Sequence, residues 1–108
     1  MLPLSLLFSS DEQASRSLSQ ALTELEFAVE CCPEIFSAVE KITSRAFDII
    51  VSDWNEGLEA AFLLKTSREL KANHAAFTIA IAEAESADAA YEAGADLVLD
   101  GGRATRTE

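Results

Sequence analysis

The chain has 108 residues, 49% of them hydrophobic, and its 19 acidic side chains outnumber 8 basic ones for a net charge of −11. That length holds one domain, and that apolar share excludes an intrinsically disordered chain. The negative field repels phosphate backbones and anionic bilayers, which argues against direct nucleic-acid or membrane binding and suits a basic protein partner.

The predicted elements alternate along the chain. The opening run, Met1 to Phe8, is apolar but short, with no basic start and no small-residue cleavage site, so no secretion signal is expected. No segment approaches the length of a membrane span. Leu4–Phe8 reads as a first strand, followed by Ser9 and Ser10. Ser10, Asp11, Glu12 and Gln13 fit a capping box with Ser10 as N-cap, and the two acids suit the positive end of a helix dipole. Ala14, Leu18, Ala21, Leu22 and Leu25 then recur at helical spacing.

Phe27–Cys31 reads as a second strand. Adjacent Cys31 and Cys32 cannot pair without straining their short ring, and with one distant histidine they make no zinc set. They are expected as small residues at a strand end, in a reducing cytoplasm. Pro33 fits the first position of a second helix, whose stripe is Ile35, Val39 and Ile42.

Phe47 to Asp53 is an apolar run rich in β-branched residues that ends in an acid, the pattern of a strand buried on both faces. After Gly57, Leu58 to Leu70 carries a third helix with Phe62 and Leu63 facing inward. Phe77–Ala82 is a fourth strand, Ser86–Ala93 a fourth helix with Gly94 as its C-terminal cap, and Asp96–Leu99 a short fifth strand. Residues 101–108 are polar and unpatterned and read as a flexible tail after a domain spanning 1–100.

This order, βαβαβαβαβ, implies a parallel sheet between helical layers. Right-handed crossovers favour a flavodoxin-like α/β sandwich with strand order 2-1-3-4-5. Its switch point lies between the first and third strands, which gathers Ser9, Ser10 and Asp53 around one crevice.

Four segments resemble the receiver domain of two-component response regulators, the CheY-like family, across residues 4–100. They are Leu6 to Asp11 leading into a helix, Phe47 to Asp53, Thr78 to Ala82, and the Ala93-Gly94-Ala95-Asp96-Leu97-Val98-Leu99 stretch. The resemblance implies a cytoplasmic signalling domain, not an enzyme, in which the aspartate matching Asp53 accepts a phosphoryl group from a histidine kinase. An acidic pair after the first strand would hold Mg²⁺. A Thr or Ser after the fourth strand and a Lys after the fifth would contact the phosphoryl oxygens. A hard cation and fixed positive charge are what offset the negative charge of that transfer.

The sequence departs from that pattern at most of these points. The acidic pair aligns with Ser9 and Ser10, the hydroxyl position with Ala82, and the lysine with Gly101. The loop after Asp53 is about four residues shorter than the family's, running through Trp54, Asn55 and Glu56 to Gly57. The expectation is therefore a pseudo-receiver with no cofactor, a protein-interaction module without Mg²⁺-dependent phosphorylation. Two alternatives stand beside it. Asp11, Glu12, Asn55 and Glu56 could rebuild a Mg²⁺ site beside Asp53 and keep it a working phosphoacceptor, or Asp11 and Glu12 could simply be solvated carboxylates at a helix start. A cofactor-binding flavodoxin-like protein is the other, disfavoured because the Ser9 to Glu12 loop is acidic where a phosphate would sit.

Receivers end in a fifth helix beside the first, and nothing after Leu99 has an apolar helical stripe. The face it would cover is expected to pair with a second copy, or to dock a partner helix or output domain. Arg103 could replace the missing lysine if the tail folded back, against which two preceding glycines argue. Trp54 reads either as a gate to the crevice or as a rim aromatic on the third helix. Tyr91 lies on the fourth helix, and His74 reads as a solvated loop residue.

Overall fold

The structure, a computed structural model, describes residues 2–54 and 57–100. Five strands alternate with four helices: β1 (Leu4–Phe8), α1 (Glu12–Glu24), β2 (Ala28–Cys32), α2 (Ile35–Ser44), β3 (Ile49–Asp53), α3 (Gly57–Glu69), β4 (Phe77–Ile81), α4 (Ala87–Ala93) and β5 (Leu97–Leu99). A single 3₁₀ turn, Ala84–Ser86, leads into α4. All pairings are parallel and the order is β2-β1-β3-β4-β5, so the chain has the flavodoxin-like topology that its alternation implied.

The strand sequences explain the burial. β1 and β3 lie inside the sheet and are apolar on both faces, with Leu6, Leu7, Phe8 and Ile50 all at 0% exposure. On one face Leu6, Phe8 and Ile50 meet Ala38 and Ile42 of α2 and Leu63 of α3. Farther along that face Ala80 meets Leu64 of α3 and Ala90 and Ala93 of α4. On the other face Leu7 and Val51 pack against Leu22 and Leu18 of α1. Among the described residues three helices thus cover one side of the sheet and one covers the other.

Four local expectations are corrected. Asp11, not Ser10, caps α1: its carboxylate accepts from the N–H groups of Gln13 at 2.9 Å and Ala14 at 3.2 Å, one residue later than the capping box predicted. Leu25 does not extend the buried stripe. It follows the last turn and is 69% exposed, because the chain turns away through Glu26 at φ 70°. α2 begins at Ile35 with Glu34 as N-cap, so Pro33 precedes the helix instead of opening it. On α3 Leu63 faces inward as expected, but Phe62 points outward at 55% exposure, since Ala60, Leu63, Leu64 and Ser67 form the buried stripe. The bounds of β2, β4 and β5 move by one residue, and β3 begins two residues later, at Ile49.

Two buried polar side chains deserve separate accounts. Asn73, 1% exposed, sits in the loop before β4. Its Oδ1 accepts from the Phe47 N–H at 2.7 Å, and its Nδ2 donates to the carbonyls of Ile42 at 2.6 Å and Arg45 at 2.7 Å. One side chain thus satisfies the end of α2 and the approach to β3, groups that no ladder serves. Ser52 is the reverse case: its Oγ is buried with no hydrogen-bond partner among the described residues.

These two sites predict opposite effects. Asn73→Ala strands three backbone groups, two of them buried, and is expected to cost about 3 kcal/mol. Ser52→Ala removes an unpaired hydroxyl and should raise stability by about 1 kcal/mol. Urea unfolding of both variants measures the signs.

Candidate functional site

The site follows from the topology. β1 and β3 are neighbours, with Phe8 opposite Ser52, so their carboxyl ends deliver Ser9 and Asp53 to one place. The connections from these ends run to opposite sides, α1 on one face and α3 on the other, which opens the crevice typical of a switch point. Asp53 is 6% exposed and Ser9 3%. The Ser9 hydroxyl donates to Asp53 Oδ2 at 2.8 Å, and its oxygen accepts from the Asp11 N–H at 3.2 Å. The backbone N–H of Ser9 reaches the Cys32 carbonyl at 3.2 Å, which fixes the residue against β2. The structure therefore brings together two of the residues singled out from the sequence, Ser9 and Asp53, in a buried carboxylate–hydroxyl contact.

The other candidates sit as follows. Ser10 is exposed on the turn into α1. Asp11 lies next to the crevice, but its carboxylate is bound to the start of α1. Glu12 is 90% exposed at its side chain and pairs with Arg16 at 3.8 Å. Ala82 is buried at the end of β4, where its methyl group offers no hydroxyl and its N–H donates to the Leu99 carbonyl at 2.8 Å. Asn55, Glu56, Gly101 and Arg103 lie outside the described residues.

Magnesium takes an octahedron of oxygens that includes one or two carboxylates. Among the described residues no three His, Cys, Asp or Glu side chains stand close enough to hold a metal ion. Asp53 is the carboxylate in the crevice, and the neighbouring donor is a neutral hydroxyl. The described donor set does not fit a site built on paired carboxylates.

Trp54 packs as a rim aromatic. It is half-buried against the cluster of Leu64, Ala80, Ala90 and Ala93. It lines an open groove of about 450 Å³ between α3 and α4, with Leu58, Ala61, Lys65, Ala89 and Glu92. Tyr91 is 48% exposed, and His74 is exposed in the loop before β4. Both cysteines are free, Cys31 exposed and Cys32 buried. Burial pushes the Cys32 thiol above its ordinary range.

Sequence reasoning missed a second polar centre at the opposite edge of the sheet. Arg68, near the end of α3, donates to the carbonyls of His74, Ala76 and Gly94, to Thr78 Oγ1 and to the Asp96 carboxylate. Asp96 also accepts from the Thr78 N–H at 3.0 Å. Gly94 makes room for this: its φ of 121° suits a residue without Cβ, and a Cβ there would sit 3.4 Å from Arg68 Cγ. As predicted, Gly94 caps α4, through its N–H to the carbonyls of Ala90 and Tyr91. Burial raises the Asp96 carboxyl, but the Thr78 N–H and the Arg68 guanidinium outweigh it and hold it below the usual carboxylate range.

A depressed carboxyl stabilises the fold at pH above its unfolded value and loses that contribution as pH falls through the lower folded value. The Asp96 contribution should therefore be complete above the ordinary value near 3.8 and fade below it. Asp96→Asn should flatten that part of the stability–pH curve, and Arg68→Met should lower stability by about 2 kcal/mol at neutral pH. Thermal melts across the acid range report both. In the crevice, Ser9→Ala removes a hydrogen bond to a charged group and should cost about 1.5–3 kcal/mol, seen as a lower urea midpoint with unchanged slope.

No protein-family model matches the sequence, and no curated protein matches it either. Solved structures do. The receiver domain of the sensor histidine kinase PA1611 from Pseudomonas aeruginosa, which holds a magnesium ion in its active-site cleft, is 17% identical. It superimposes with a TM-score of 0.78 over 92% of this chain and 84% of its own. The chemotaxis protein CheY4 of Vibrio cholerae is 18% identical, with a TM-score of 0.79 over 92% of this chain and 86% of its own. An adenylate cyclase from Rhodopirellula baltica is 20% identical, with a TM-score of 0.76 over 92% of this chain and 76% of its own. Strand order, helix placement and these superpositions agree: the chain has the CheY-like fold of response-regulator receiver domains.

Proposed function

We propose that this domain is a pseudo-receiver: a non-enzymatic signalling module that binds protein partners or an output domain without Mg²⁺-dependent phosphorylation of Asp53. The observation that carries this reading is the Ser9 hydroxyl 2.8 Å from Asp53 Oδ2, at the position where the receiver pattern has an acidic metal ligand. A dication there would neutralise part of an incoming phosphoryl group, and a hydroxyl has no charge with which to do so. Ala82 adds to the argument, since a methyl group cannot bond a phosphoryl oxygen. The net charge of −11 supports protein partners over nucleic acid. Free cysteines on adjacent residues suit a cytoplasmic setting.

The competing reading is a working phosphoacceptor in a phosphorelay, favoured by a buried aspartate at the end of β3 and by the magnesium bound in the PA1611 receiver. Incubation with Mg²⁺ and acetyl phosphate, followed by intact mass measurement, separates the two. The expected outcome is an unmodified chain, and amide spectra that do not move with Mg²⁺ and beryllofluoride. A stable adduct that disappears in Asp53→Ala would establish the phosphoacceptor instead. Restoring two carboxylates in Ser9→Asp/Ser10→Asp should create Mg²⁺ affinity that the natural sequence lacks, measurable by calorimetry.

A further inference from the structure

We draw no further inference here: the strongest candidate, the apolar strip of Phe77, Leu97 and Leu99 on the α1 side of β4 and β5, carries none because nothing in the structure shows what covers it.

Discussion

A parallel sheet has no face that tolerates water well, and this constraint organises the molecule. It explains why β1 and β3 are apolar on both sides, and why each of the first four strands is followed by a helix that crosses back. It also explains the lopsided layering. Among the described residues α2, α3 and α4 cover one face, whereas α1 serves the other. β4 records the difference residue by residue. Thr78 and Ala80, beneath α3 and α4, are sealed, and Phe77 beside them is nearly half open.

The same topology makes the crevice. Because β1 and β3 are adjacent while their connections diverge, whatever follows β1 must face whatever ends β3. In this chain that juxtaposition is a serine and an aspartate. The position is one that open α/β sheets use for ligands, yet position supplies no charge. A carboxylate can be a nucleophile toward phosphorus only when cations gather the phosphoryl oxygens around it. The separation of geometry from electrostatics is what makes a receiver-like shape compatible with a role in contact alone.

Much of this was legible in the chain itself. Apolar runs of strand length, the Leu18 and Leu22 spacing, and Gly94 at a helix end are local signals, and each led to the right element. Asp53 was legible because an acid closing an apolar run is conspicuous. The misreadings were local competitions. Ser10 and Asp11 are both good caps, and the choice turned on a Ser9 hydroxyl already engaged with Asp53 and the Asp11 N–H. Phe62 lost the inward position because smaller Ala60 and longer Leu63 and Leu64 already filled that stripe. Asn73 and Arg68 left no trace in periodicity. Their work is to satisfy carbonyls that are distant in sequence, and a polar residue in a loop or at a helix end looks the same whether or not it does so.

The Arg68 centre has a consequence for the last strand. β5 is three residues long and lies at the border of the sheet, and the residues that lead into it, Gly94 and Asp96, are both held by one guanidinium. Losing that grip would loosen the segment and its pairing with the outer backbone groups of β4. A bare border of this kind is a template on which a foreign chain can zip itself as an added strand. The arginine thereby helps to keep that border closed.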